Sequence, residues 1–170
     1  MEIRHAMLED LAAIAAVEAE CFPPETAATY DSIKARLEVF SDHFWLLEDG
    51  DTLVGFVNGM ATDLPDLCDE MYHDAEMHDP AGEWQMIFGV DTIPAYRRRG
   101  CAEMVLKRVI TDTKAAGRKG LVLTCRDHLV HYYAKFGFVS SPTLVVMENG
   151  KAVQTAVGYR PKDDILKLLK

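Results

Sequence analysis

The feature that most constrains this fold is a buried strand that leads through a glycine-containing loop into a long amphipathic helix. The strand covers residues 86–90, and Pro94 closes it. The helix covers residues 100–116, because small and apolar side chains recur at spacings of three and four residues: Ala102, Val105, Leu106, Val109, Ile110 and Thr113. Gly117 stands where a C-terminal cap places glycine.

The remaining patterns predict an α/β or α+β domain on a mixed sheet, in the order β-α-α-β-β-β-α-β-α-β-β. The helices are predicted at residues 9–21, 31–40, 100–116 and 129–136, with one helical turn near 67–72. The strands are predicted at residues 3–6, 44–47, 53–57, 86–90, 120–125, 143–147 and 152–159. Asn149-Gly150 marks a tight turn between the last two strands.

Length and charge restrict the classes of function. The chain has 170 residues, of which 49% are hydrophobic, and this suits one domain with a proper core. Its net charge of -9 argues against a general nucleic-acid binder. Residues 37–96 hold fourteen acidic and no basic residues, whereas residues 97–170 hold fifteen basic and six acidic ones. The first of these halves is expected to attract cations and the second anions, unless the charges are simply solvated faces.

No apolar run approaches the ~20 residues that cross a bilayer, and the first residues lack the pattern of a signal peptide. We therefore expect a cytoplasmic protein without a membrane partner. The four cysteines are far apart and form no Cys-x-x-Cys pair, so reduced thiols are expected and no metal site. The sequence does not distinguish a monomer from a homodimer.

The loop before the long helix has the chemistry of a phosphate site. A helix N-terminus exposes unpaired N–H groups and the positive end of the helix dipole. Gly100 allows an oxygen to approach the backbone, and Arg97, Arg98 and Arg99 add charge-assisted hydrogen bonds. These residues favour a pyrophosphate ligand. The alternative is an ordinary helix start preceded by solvated arginines.

Three stretches together resemble a known family. Arg97-x-x-Gly100-x-Ala102 looks like the acetyl-CoA signature of the GNAT superfamily. Cys21-Phe22-Pro23 and the stretch 123–138 resemble the arylalkylamine (serotonin) N-acetyltransferases and their bacterial relatives. The resemblance covers roughly residues 1–140 in the same order and spacing, and the tail 160–170 matches nothing in it.

The resemblance implies one GNAT domain over residues 1–170, with a mixed, largely antiparallel sheet that is flanked by helices and splayed at the acetyl-CoA site. Acetyl-CoA would be the co-substrate, with its pantetheine arm on the backbone of Gly89 and Val90. The pyrophosphate would lie on the loop residues Arg97, Arg98, Arg99, Gly100, Cys101 and Ala102. Thr124 would line the opposite wall.

The resemblance also suggests catalytic groups. The family's general acid, a tyrosine, corresponds to Tyr133, although its ring would also suit a packed helical face. The animal enzymes carry a His-x-His pair where this chain has Trp84 and Met86, so the general base is open. The candidates are Asp63, His78 and Glu83.

The acidic stretch 63–83 is the predicted acceptor region. Together with Tyr72 and Trp84 it favours a small cationic amine of the arylalkylamine or polyamine type. Two alternatives stay open: an enzyme that acetylates protein or peptide amines, and a non-catalytic acyl-CoA-binding regulatory domain.

Overall fold

A computed structural model describes residues 1–139 and, beyond them, the backbone of two strands, Thr143–Glu148 and Lys151–Val157. The chain forms two compact units, Met1–Thr124 and Cys125–Lys170, which are considered separately. The predicted Asn149-Gly150 turn and the tail 160–170 lie outside the described residues. No helix in the described part of the chain is long and apolar enough to cross a membrane.

The first unit follows the predicted order, except that it has an additional short strand at Ala61–Thr62 and that the predicted strand 86–90 is divided in two. Its elements are β1 Glu2–His5, α1 Leu11–Cys21, α2 Tyr30–Phe40, β2 Phe44–Asp49, β3 Thr52–Asn58, β4 Ala61–Thr62, β5 Trp84–Ile87, β6 Gly89–Thr92, α3 Cys101–Ala115 and β7 Gly120–Leu123. The long helix and the hairpin of β2 and β3 confirm the sequence prediction. Gly117 has the left-handed φ of 70° expected of a helix-terminating glycine.

The strands form a mixed α/β arrangement. One antiparallel sheet has the order β1-β2-β3-β6, and a second sheet has the order β4-β5-β7. In the second sheet β4 is antiparallel to β5, whereas β5 and β7 are parallel and joined by α3. The fold is therefore the predicted mixed, largely antiparallel sheet with flanking helices.

The sequence predicts one continuous strand at residues 86–90, and this prediction is wrong. The segment forms two strands, β5 in the second sheet and β6 in the first, which part at Phe88. The Phe88 amide donates to the Asn58 carbonyl at 2.8 Å, so the backbone stays paired with the β3 side through the change. An apolar run shows that a strand is buried but does not show where it exchanges one neighbour for another.

Helices cover both faces of the first sheet. Side chains of α1 and α2 join Phe44, Leu46 and Phe56 in one core cluster. Because side chains alternate along a strand, Trp45 points to the opposite face, where its indole contacts Asp112 of α3. Four of the five buried residues of α3 belong to the predicted stripe, namely Val105, Leu106, Val109 and Thr113, and the fifth is Cys101.

The second unit contains a short helix, α4 Val130–Ala134, and an antiparallel hairpin of β8 Thr143–Glu148 and β9 Lys151–Val157. The helix is shorter than the predicted 129–136, and Gly137 follows it with a φ of 90°. In the first unit, β7 is half-buried along its whole length rather than fully buried. The sequence pattern overestimated the length of α4 and the burial of β7. It reports the apolar content of a segment but not which neighbours cover that segment.

Gly59 allows the closest approach between strands, and we predict that Gly59→Ala strongly destabilises the protein. A methyl group there would overlap the carbonyl oxygen of Met86, a backbone atom that cannot rotate away. We expect a loss at or above the ~3 kcal/mol upper end of ordinary overpacking, measured by urea denaturation. Gly120→Ala is the control, because its methyl group would meet only a Trp84 ring atom at 3.2 Å. Equal losses in the two variants would contradict the prediction.

Candidate functional site

The first part of the site is the free edge of β6. One edge pairs with β3, which places Val57 opposite Val90 and Asn58 opposite Gly89. Among the described strands, none pairs with the other edge. The β7 strand accompanies β5 only as far as the Ile87–Leu123 pair, so Thr124 leaves the sheet where Gly89 begins β6. The backbone groups of β6 that face away from β3 are therefore available to an extended ligand.

The loop that follows β6 is held by side chains and leaves its backbone open. Arg98 and Gly100 both have left-handed backbones, with φ of 63° and 81°. A left-handed arginine is costly, and such residues concentrate at functional sites. The Arg97 side chain donates to the Thr92 carbonyl at 3.0 Å, and the Arg99 guanidinium lies 5.0 Å from the Tyr96 ring centroid.

The same loop is the N-terminus of α3, which has fifteen residues. Gly100 caps the helix without a side-chain hydrogen bond, so the first N–H groups and the positive end of the dipole face outward. No atom lies within 4 Å of the position that a Gly100 side chain would take, and the three arginines are exposed. Cys101 is buried and Ala102 half-buried, so neither obstructs the loop. The arrangement suits a phosphate-bearing ligand.

Buried charges gather beside the break in the strand, and the sequence analysis missed them. Asp91 is 2% exposed, and neither carboxylate oxygen has a hydrogen-bond partner among the described residues. Burial raises the pKa of Asp91 well above its usual value, and the nearby Glu18 charge adds to the rise. The Cys21 thiol and Arg97 offset this only in part. The Asp91 carboxylate also lies over Gly89, on the sheet face towards which a Gly89 side chain would point.

Glu18 and Arg36 form the other side of this group. The Glu18 carboxylate accepts from the Ala28 amide at 2.7 Å, and burial raises its pKa. Arg36 donates to the Tyr72 carbonyl at 2.9 Å, and its guanidinium lies 4.9 Å from the Phe88 ring centroid. Burial lowers the pKa of Arg36. The helical spacing that turns Ile14 inward also turns Glu18 inward, and this was the available signal.

Of the predicted acceptor residues, Tyr72 lies beside the break. Its ring centroid is 4.8 Å from that of Phe88, the residue at which β5 and β6 part. Trp84 begins β5, about 10 Å from Ile87 along the strand. Asp63 accepts from the Glu83 amide at 3.1 Å, and the Glu83 carboxylate pairs with Lys119. These residues are therefore at the opposite end of β5 from the free edge of β6.

His78 has a contact that limits its use as a base. Its Nδ1 accepts a hydrogen bond from the Ala61 amide at 3.1 Å, so a neutral ring carries its proton on Nε2. Burial also lowers the pKa of His78. The ring packs against Phe40 and His43. This arrangement gives the residue a clear structural role.

Tyr133 belongs to the second unit. It is half-buried in α4, with its ring centroid 5.2 Å from Tyr132 and 5.9 Å from Phe138. The packing that the sequence suggested is present there. The catalytic role of the hydroxyl stays a prediction.

Solved structures with the same fold are found across several kinds of protein. The loading GNATL domain of CurA from Lyngbya majuscula is 21% identical with a TM-score of 0.60, over 65% of this chain and 57% of that one. GphF, a GNAT-like decarboxylase in complex with isobutyryl-CoA, is 25% identical with a TM-score of 0.64, over 82% and 73%. A predicted acetyltransferase with acetyl-CoA from Clostridium acetobutylicum is 15% identical with a TM-score of 0.63, over 86% and 95%.

A curated protein, thioredoxin of Bacillus subtilis (strain 168), is 43% identical over 35 residues. That stretch is 21% of this chain and spans only 34% of thioredoxin, so it shows no shared family. The CurA and Clostridium structures are below 25% identity and show the fold alone.

A family model settles the relationship. The description of the model is Acetyltransferase (GNAT) family, and it matches residues 9–138 of the 170. The match includes the free strand edge and the arginine–glycine loop, and it covers well over half of the sequence. The chain belongs to the acetyltransferase (GNAT) family.

Proposed function

We propose that this protein transfers an acetyl group from acetyl-CoA to a primary amine. The observation that carries the proposal is the continuity of the free β6 edge with the left-handed loop of Arg98 and Gly100. One feature offers backbone hydrogen bonds to a linear amide-containing arm, and the other offers N–H groups to phosphates. The GphF and Clostridium structures contain isobutyryl-CoA and acetyl-CoA, which supports a ligand of this class.

In this proposal the pantetheine arm lies along Gly89 and Val90, and Thr124 lines the opposite wall. The pyrophosphate lies on the N–H groups of residues 99–102, with Arg97, Arg98 and Arg99 neutralising its charge. The thioester then lies near Phe88, where the sheets part. Tyr72 and the buried Arg36 are the neighbours of that position.

The reaction needs no covalent enzyme intermediate. The neutral amine attacks the thioester carbonyl carbon, the C–N bond forms, and the C–S bond then breaks. The amine loses one proton to a base or to solvent, and the departing thiolate gains one. We assign the second proton to the hydroxyl of Tyr133, the position that corresponds to the general acid in the resemblance.

The acceptor is proposed to be a small cationic amine of the arylalkylamine or polyamine type. Residues 63–79 carry seven carboxylates, and Tyr72 in this stretch reaches the break in the strand. A negative surface at the acceptor side raises the local concentration of ammonium ions. The resemblance to the arylalkylamine branch supports the same class of acceptor.

Gly100→Glu is predicted to abolish acetyl-CoA binding while the fold is retained. The added carboxylate would repel phosphate at the N-terminus of α3. Gly117→Glu is the matched control, because Gly117 also has a positive φ and open surroundings but lies about 25 Å away along the same helix. Calorimetry should show loss of binding in the first variant alone. Unchanged affinity in Gly100→Glu would remove the pyrophosphate from this loop.

Salt is predicted to weaken capture of the amine, because the acidic segment attracts its ammonium group. The Debye length falls from about 30 Å at 0.01 M to about 8 Å at physiological ionic strength, so attraction of the ammonium group is screened. The kcat/KM for the amine should therefore fall as salt rises. A neutral amine analogue of similar size is the control. A kcat/KM that is indifferent to salt, with neutral acceptors preferred, would contradict a cationic acceptor.

Tyr133→Phe is predicted to slow acetyl transfer by roughly 10²–10⁴-fold, the usual effect of losing a general acid. Acetyl-CoA affinity should change little, because no phosphate contact is assigned to this residue. Single-turnover rates are the measurement, since product release can mask the chemical step in kcat. Tyr132→Phe, one residue earlier in the same short helix, is the control. A wild-type rate in Tyr133→Phe would end its assignment as the acid.

A further inference from the structure

A cavity of about 260 Å³ lies at the C-terminal half of α3, where the helix faces β1, β2 and β5. Its lining includes His5, Asp42, His43, Trp45, Asp112 and Thr113. Asp112 is twelve residues beyond Gly100, so the cavity is about 18 Å along α3 from the arginine–glycine loop. We propose that this cavity is a second ligand site, which binds a small organic cation with a primary ammonium group.

The hydrogen bonds of Gln85 determine which nitrogen of His43 is open to a ligand. The Gln85 amide nitrogen lies 3.1 Å from the Met60 carbonyl and 2.9 Å from the Met86 carbonyl. Only an NH2 group can donate to two carbonyl oxygens, so the amide oxygen must face His43. That oxygen is 2.8 Å from Nδ1, which therefore carries the proton. The Nε2 atom keeps a lone pair.

This lone pair is a strong acceptor in a buried place. His43 is 7% exposed and lines the cavity, and its Nε2 has no hydrogen bond among the described residues. Burial lowers the pKa of His43 to about 4, so the ring stays neutral at pH 7 despite the nearby Asp42 carboxylate. An acceptor that opens onto the cavity without a protein partner favours a ligand that donates a hydrogen bond.

The charges around the cavity indicate a cationic donor. Asp42 also lines the cavity, and its exposed carboxylate makes no hydrogen bond within residues 1–139. The C-terminal end of α3, at Ala116, contributes the negative end of the helix dipole. These groups and the His43 lone pair all attract an ammonium group. Thr113 adds a buried hydroxyl that has no partner in the described structure.

The two arginines at the cavity are already engaged. Arg108 donates through Nε to Asp112 at 2.9 Å, and Asp112 also accepts from the Trp45 indole at 2.8 Å. The guanidinium of Arg118 donates to the carbonyl oxygens of Gly82 and Pro80. The Asp112 carboxylate neutralises Arg108. Arg118, in contrast, donates to neutral carbonyl oxygens, and its charge is attracted by the nearby Asp42 and Asp79 carboxylates. A metal ion is a poorer occupant, because no cluster of three ligating side chains occurs among the described residues.

Nuclear magnetic resonance of the histidine side chains tests the proposal directly. Without acetyl-CoA, 1,4-diaminobutane is titrated into the full chain, and 1,4-butanediol serves as the neutral isostere. His43→Gln identifies the His43 signals by their loss. We expect a saturable shift of the His43 Nε2 resonance with the diamine and none with the diol. Equal shifts with both compounds, or no saturable shift, would overturn the proposal.

Asp42→Asn provides the matched variant, because Asp42 is exposed and its loss should not disturb folding. The diamine should bind about threefold more weakly, as expected for loss of an exposed ion pair. Asp51→Asn changes an equally exposed carboxylate in the β2–β3 turn and should leave the affinity unchanged. An equal loss of diamine affinity in both variants would show that the diamine is attracted to the acidic protein in general. That result would overturn the proposal of a defined site. Because the assay contains no acetyl-CoA, its outcome is independent of the proposed transferase activity.

Discussion

The candidate site depends on which strands form hydrogen bonds with the two backbone edges of residues 84–92. Every buried amide and carbonyl needs a partner. The β5 strand has strands on both sides, whereas β6 has one among the strands that the structure describes. The change occurs at Phe88, beside a crossing so close that Gly59 has no space for a side chain. The open edge thus begins close to a tight backbone contact on the other side of the same stretch of chain.

Buried ionisable side chains lie close together beside the break at Phe88. Three ionisable residues are buried there: Glu18, Arg36 and Asp91. Burial raises the pKa of the two acids and lowers that of the arginine, so it favours the neutral form of each. Buried ionisable groups are weak contributors to stability, and their pKa values are often perturbed at functional sites. Their position around Phe88 and Gly89 joins the two helices of one face to the strand edge. This group therefore connects Tyr72 of the acidic segment to the residues at the start of β6.

Much of the scaffold was predictable because it depends on local patterns. The stripe on α3, the β2–β3 hairpin and the arginine–glycine loop all follow from spacing, turn residues and charge. The break at Phe88 was not predictable, because the same apolar run suits one strand or two. The roles of His43 and His78 depend on Gln85 and the Ala61 amide, which are distant in sequence. Glu18 was hidden because a helix face that is otherwise apolar does not reveal why one carboxylate points inward.

The open edge of β6 also bears on how the protein behaves in concentrated solution. An unpaired strand edge is a template for strands of other chains, and proteins commonly blunt such edges with charge. Here the short length of β6 and the three arginines that follow it serve that purpose. A ligand lying along the edge would cap it more completely than the arginines do. The concentration of free ligand would then set the share of molecules whose β6 edge is bare.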